Sequence, residues 1–155
     1  MVRFYPFTVA DTDYIRSLSK KVFEHYGPYE NILMQWLESG IAVTLVAWTG
    51  KNPVGFAMLR GFKPGWPLPR LTELLAIAVE PARWRIGIGD LLMDEIVREA
   101  ERLEAATLVL HTAIDNLAAQ MLFRKHGFSE LGMKKDFYPN GQDAITMYKE
   151  IFWEN

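Results

Sequence analysis

Apolar residues run from Leu71 to Val79 with only Thr72 and Glu73 between them, which predicts a buried β-strand. Pro81, Gly87 and Gly89 punctuate a short turn, after which Leu92, Ile96, Ala100 and Leu103 recur at helical spacing. Asp94, Glu95, Arg98, Glu99 and Arg102 take the opposite side, so a long helix with one buried and one solvated face is expected. Thr107 to Ala113 is another apolar strand, reached through that helix and therefore expected parallel to the first.

The same patterning organises the flanks. Val2 to Phe7 predicts a strand, and Thr8 with Asp11 forms a capping box opening a helix on Ile15, Leu18 and Val22 that ends near Tyr26-Gly27-Pro28. Glu30 to Ser39 predicts a second helix with Ile32, Leu33, Trp36 and Leu37 inward, closed by Gly40. Two antiparallel strands follow, Ile41 to Trp48 and Val54 to Leu59, with a hairpin turn at Thr49-Gly50-Lys51-Asn52. Asp115 or Asn116 caps a further helix that runs to His126 and stops at Gly127. The remainder predicts two long strands joined through Pro139-Asn140-Gly141.

Residues 62–69 hold three prolines and a glycine around Trp66 and cannot continue a ladder. Trp66 either packs down on the domain or walls a ligand site. The order βααββ, βαβ, αββ predicts one α/β domain over residues 1–155, with a mixed sheet of about seven strands and helices on both faces.

Composition narrows the chemistry. A chain of 155 residues, half of them apolar and with 9 Phe, 6 Tyr and 5 Trp, suffices for one real core. A net charge of −2 gives no general attraction to nucleic acid or an anionic membrane. The absence of cysteine removes disulfides, thiolate metal sites and thiol nucleophiles, and no metal centre is expected. Met-Val-Arg-Phe-Tyr-Pro lacks the apolar core of a signal peptide and no apolar run is long enough for a membrane span, so a cytoplasmic protein is expected. Monomer and homodimer both remain open.

A strand feeding a glycine turn into a helix presents free amides and a positive dipole end, which suit an anionic phosphate. Two nucleotide motifs fail here: a dinucleotide fingerprint would need a small residue at Leu92, and a P-loop would need Lys where Asp90 stands. Gly87 and Gly89 equally suit a plain tight turn.

Three stretches, in order, resemble the GNAT superfamily of acyl-CoA-dependent N-acetyltransferases over nearly the whole chain. They are the strand ending Ala78-Val79-Glu80-Pro81, the turn ending Gly87-Ile88-Gly89, and Asn116-x-x-Ala119-x-x-Leu122-Phe123-x-x-x-Gly127-Phe128. The resemblance implies acetyl-CoA as cosubstrate. Its pyrophosphate would be wrapped by Trp84, Arg85, Ile86, Gly87, Ile88, Gly89 and Asp90, chiefly through backbone amides. It implies that the strands at Leu71–Val79 and Thr107–Ala113 splay, with the pantetheine arm pairing against the backbone of Ile77, Ala78 and Val79. Asn116, Ala119 and Phe123 would complete the cofactor side.

Two residues depart from the family pattern. Trp84 stands where Arg or Gln is usual, leaving Arg83 and Arg85 as substitutes. Phe123 stands where a Tyr often protonates the departing thiolate, and Phe has no proton to give. A thiol pKa of about 8.5 makes that thiolate a tolerable leaving group, and Tyr138 is a candidate donor.

The resemblance also implies a general base, for which Glu73 and His111 are the candidates, bordering one cleft. A buried carboxylate rarely lacks a purpose, whereas a single His in an apolar strand is often a hydrogen-bonded core residue. The segment from Phe137 to Ala144 is similar to the hairpin of ribosomal-protein alanine and other protein N-terminal acetyltransferases. A peptide α-amine, with a pKa of about 8, is the favoured acceptor. Small amines, and a non-catalytic acyl-CoA-binding sensor or assembly module, are the alternatives.

Overall fold

The computed structural model describes residues 1–61 and 70–151. The expected loop around Trp66 lies outside the described residues. Seven strands and four helices follow one another as β1 (Val2–Pro6), α1 (Thr12–Phe23), α2 (Tyr29–Ser39), β2 (Ala42–Thr49), β3 (Asn52–Arg60), β4 (Leu71–Val79), α3 (Ile88–Arg102), β5 (Thr107–Ala113), α4 (Leu117–Lys125), β6 (Ser129–Lys134) and β7 (Ala144–Glu150). The sheet order is β1-β2-β3-β4-β5-β7-β6, with β4 and β5 parallel and the other neighbours antiparallel.

Three expectations shift. The Asp11 carboxylate accepts from the Thr8 N–H at 2.9 Å, as a capping box requires, but the turn it opens is a 3₁₀ turn and α1 starts only at Thr12. The far end of that helix is also 3₁₀, over Glu24–Tyr26, before Gly27 at φ 100°. The last two strands are joined by the longer loop 135–143, in which the Gly141 N–H donates to the Tyr138 carbonyl at 2.8 Å. The Asn-Gly turn therefore forms inside a loop, whose base is held by Asp143 accepting from the Asp136 N–H at 2.9 Å.

Period-2 alternation sends the side chains of each strand to two cores. Ala57, Leu59, Leu74, Leu108, Leu110, Ile145 and Met147 meet Leu92, Met93, Ile96 and Ala100 of α3 and Phe123 of α4. Phe56, Met58, Leu75 and Ala76 instead meet Ile15 and Leu18 of α1 and Leu33 of α2, together with Tyr26, Tyr29 and Tyr138. Leu92, Met93 and Ile96 are fully buried, each stabilising the fold by about 1.5–3 kcal/mol relative to exposure.

Consecutive residues Leu75 and Ala76 lie in the same core, which a regular strand forbids. The cause is a β-bulge: Met58 pairs with Ala76 and Leu59 with Leu74, so Leu75 is left over on β4. The parallel β4–β5 ladder ends at the same place. It runs only from Leu71↔Thr107 to Leu74↔Leu110, while β4 continues beside β3 to Val79 and β5 continues beside β7 to Ala113. Beyond Leu74 and Leu110 the two central strands part.

Candidate active site

The gap has polar walls. The Glu80 N–H donates to the Val54 carbonyl at 2.9 Å, so by alternation the backbone groups of Ala78 and Ala76 also face β3. Those of Ile77 and Val79 are thereby directed toward β5, where no ladder meets them. On the opposite wall Asn116 caps α4, its Oδ1 accepting from the Ala119 N–H at 3.2 Å. Ala76, Ile77, His111, Asn116, Ala119, Phe123 and Tyr138 border one cleft.

The turn at one end of the gap offers amides. Gly87, the residue before α3, sits at φ 91°, a conformation that Cβ-bearing residues rarely adopt. The first helical N–H to close back is that of Leu91, onto the Gly87 carbonyl at 3.1 Å. The amides of Ile88, Gly89 and Asp90 thus have no carbonyl behind them within the helix. Arg85 also takes a positive φ, of 66°, in a loop whose Trp84, Arg85 and Ile86 are all exposed.

Two turn side chains are engaged elsewhere. The indole N–H of Trp84 donates to the Val79 carbonyl at 2.8 Å, tying the loop to the end of β4. The Asp90 carboxylate turns toward the end of α4, 2.8 Å from His126 Nε2 and 3.2 Å from Lys125 Nζ. The hydrogen bond from His126 holds Asp90 below the usual carboxylate range. Asp90 therefore brings its amide to the turn while its carboxylate is turned away and paired with Lys125 and His126.

Glu73 and His111 are brought together. Oε2 of Glu73 is 3.6 Å from Nε2 of His111, and Oε1 is 3.6 Å from Nη2 of Arg60. His111 Nδ1 lies 3.0 Å from the hydroxyl of Thr146. These residues form a polar row across β3, β4, β5 and β7, on the face covered by α1 and α2. Burial holds the His111 imidazole below its ordinary pKa, with Glu73 opposing and Lys134 reinforcing the shift. Burial therefore favours the neutral ring.

Tyr138 is buried beside the same cleft, its ring centroid 4.8 Å from that of Tyr26 and 5.5 Å from that of Tyr29. Burial raises all three phenols, Tyr26 and Tyr29 to about 12 and Tyr138 beyond that, so each keeps its proton. The turn before α2 is tied to loop 135–143 over this cluster. Asn140 and Gln142 both donate to the His25 carbonyl, at 3.0 and 2.9 Å, and the Asn140 N–H donates to that of Tyr26 at 3.1 Å. Gly27 permits the approach, since a Cβ there would lie 2.7 Å from Pro139 Cβ.

Sequence reasoning missed Arg60, Thr146, Tyr26 and Tyr29. The pair Tyr26 and Tyr29, flanking Gly27-Pro28, was the available signal; Thr146 had none, because its role comes from a strand partner 35 residues away.

Comparison with known proteins agrees with this geometry. The Acetyltransferase (GNAT) family profile matches residues 10–128. The [ribosomal protein bS18]-alanine N-acetyltransferase of Escherichia coli (strain K12) is 36% identical over 77 residues, covering 48% of this chain and 52% of that protein. The chain thus matches about half the length of that relative. An N-alpha-acetyltransferase of Sulfolobus acidocaldarius is 29% identical over 148 residues, covering 90% of this chain and 87% of the relative. The crystal structure of the ribosomal-protein-S18-alanine N-acetyltransferase from Escherichia coli superposes with a TM-score of 0.83 at 23% identity, over 100% of this chain and 97% of that one. A Bacillus subtilis acetyltransferase in complex with CoA superposes at 0.80 and 21% identity, over 98% and 100% of the two chains. With its profile match, parted central strands and amide-lined turn, the chain belongs to the acetyltransferase (GNAT) family.

Proposed function

We propose that the protein is an acetyl-CoA-dependent N-acetyltransferase acting on the α-amine of a peptide or protein. The observation that carries the reading is the gap between β4 and β5, with an amide-bearing turn at one end and His111, paired with Glu73 behind it, on its wall. The residues fit coenzyme A. Free amides at Ile88, Gly89 and Asp90 suit its pyrophosphate, and the directed backbone groups of Ile77 suit the amides of its pantetheine arm, while the Val79 carbonyl is held by Trp84 and only its N–H is left for a ligand. Arg83 and Arg85 are available for the outer phosphate oxygens, and Asn116, Ala119 and Phe123 line the opposite side.

When bound, the thioester supplies the acetyl group. The Val79 N–H donates to the carbonyl oxygen as it gains charge. Glu73, paired with His111, receives the proton lost by the amine, directly or through one water. Burial raises the Tyr138 phenol, which makes it a weaker acid than a free tyrosine toward a thiolate of pKa about 8.5. Tyr138 borders the same cleft and its O–H would be the phenolic donor toward a departing thiolate there, since Phe123 has no proton to give.

The tie between the turn before α2 and loop 135–143 narrows the acceptor side. A chain end threads such a mouth with fewer constraints than a mid-chain segment, and an α-amine of pKa about 8 deprotonates more easily than a lysine at about 10.4. Relatives named as acetylating ribosomal-protein alanine and α-amines support the same acceptor class. The test is mass spectrometry of a panel of peptides and small amines after incubation with acetyl-CoA. A gain of one acetyl group on peptide α-amines is expected. Exclusive modification of small amines would replace the acceptor assignment, and stabilisation by CoA with no turnover on any amine would favour a binding module.

A further inference from the structure

We propose that Glu73 and Thr146 together fix the tautomer of His111: the Glu73 carboxylate favours a proton on Nε2, and Thr146, a positioning residue, donates to Nδ1 and holds the ring in that form, leaving Glu73 as the group that takes the proton. This rests on the acetyl-transfer reading for its catalytic meaning, although the tautomer itself is a property of the resting protein.

The cause is strand register. His111 and Thr146 are directly paired on β5 and β7, so both side chains emerge on the same face, and Thr146 Oγ1 comes within 3.0 Å of Nδ1. The other ring nitrogen faces Glu73 Oε2 at 3.6 Å. Two neutral tautomers compete. With the proton on Nδ1, the ring donates to Thr146 and turns its Nε2 lone pair on a carboxylate, which is repulsive. With the proton on Nε2, the N–H points at the carboxylate and the Nδ1 lone pair accepts from the Thr146 hydroxyl. The carboxylate favours the second arrangement electrostatically, and in it the Thr146 hydroxyl, which serves either tautomer, donates to Nδ1 and keeps the ring in place. Among the described residues no other hydrogen bond reaches Nδ1.

The rest of the surroundings favour a neutral ring. Lys134 of β6 opposes a second proton, the Phe137 ring lies 5.0 Å away centroid to centroid, and the His111 side chain is 11% exposed. Glu73 also faces Arg60 of β3 and is near Tyr29 of α2. A ring in the Nε2–H form has no basic lone pair free toward the cleft, since Nδ1 is held by Thr146. The Glu73 carboxylate, 25% exposed at its side chain, is then the group left to accept the amine's proton, with His111 and Arg60 orienting it.

The test reads the tautomer without substrate. Protein labelled with ¹⁵N at its 3 histidines is examined by long-range ¹H–¹⁵N correlation at pH about 8, with His111→Gln assigning the signal. The Nε2–H form is expected in the wild type and in Thr146→Ser, while Thr146→Val should displace the Nδ1 resonance. In parallel, kcat should fall about tenfold in Thr146→Val, the size of one lost orienting hydrogen bond, and recover in Thr146→Ser, with KM for acetyl-CoA unchanged. An Nδ1–H tautomer in the wild type would overturn the proposal even if neither variant folds. So would a Thr146→Val protein whose Nδ1 resonance and kcat match the wild type. Absence of turnover in the wild type with every acceptor would remove the acetyl-transfer reading while leaving the tautomer measurement standing.

Discussion

Glu73 and His111 lie on neighbouring strands yet are not direct partners: Glu73 pairs with Val109, and His111 projects from two residues further along β5, at the point where the strands have parted. Their 3.6 Å contact therefore spans the mouth of the gap. Replacing Glu73 with Gln keeps the shape of the side chain and removes its ability to take a proton. We expect kcat to fall about 10²–10⁴-fold, with KM for acetyl-CoA and the circular dichroism spectrum unchanged. Steady-state kinetics with an acetylated peptide product checks this, and a loss confined to KM would place Glu73 in acceptor binding.

Burial of neutral His111 gives stability a pH dependence of definite sign. Its folded pKa lies below the ordinary imidazole value of about 6.5, so below that pH the unfolded chain takes up a proton more readily than the native one. This contribution is present above pH about 6.5 and is lost as pH falls toward the folded value. Urea titrations should show wild-type stability declining on the acid side of pH about 6.5, with a shallower decline in His111→Gln. Parallel curves would assign the acid sensitivity to other groups.

Gly87 holds φ 91° at the head of α3, and among the described residues no heavy atom beyond its own and its chain neighbours' lies within 4 Å of where its Cβ would be. A Gly87→Ala change therefore tests backbone conformation alone. The left-handed region costs a Cβ-bearing residue about 1–2 kcal/mol, which predicts a comparable loss of stability, or a relaxed turn that no longer presents its amides. Calorimetry with CoA should then show weaker binding, while pantetheine, which carries no phosphate, should bind as before.

Gly27 is different, because both conformation and space oppose substitution. Its φ is 100°, and an added Cβ would meet Pro139 at 2.7 Å. Gly27→Ala should push the turn before α2 away from loop 135–143 and weaken the bonds to the His25 carbonyl. The expected outcome is a higher KM for a peptide acceptor with little change in KM for acetyl-CoA. Kinetics varying each substrate in turn separates the two, and an equal rise in both would show a global rather than local effect.

Much of the scaffold was legible because its signals are local. β4 and β5 fall where the apolar runs of LTELLAIAV and TLVLHTA placed them, and Asn116 caps α4 through its own helix's Ala119 amide. The family resemblance, carried by short motifs, likewise survived comparison with the fold. The 3₁₀ ends around α1 and the length of loop 135–143 were not legible, since each depends on contacts made after the chain has packed.

The order of strands and helices, the amphipathic faces, the glycine turn and the presence of a carboxylate and an imidazole in two apolar strands were determined by the amino-acid sequence alone. Each follows from residue type and spacing over a few positions. Tertiary structure alone decided that Leu75 bulges, that the β4–β5 ladder stops at Leu74 and Leu110, and that Thr146 meets His111 while Arg60 meets Glu73. These depend on register between strands distant in sequence, and register is set by how whole faces of the sheet fill their cores, which no short stretch of the chain encodes by itself.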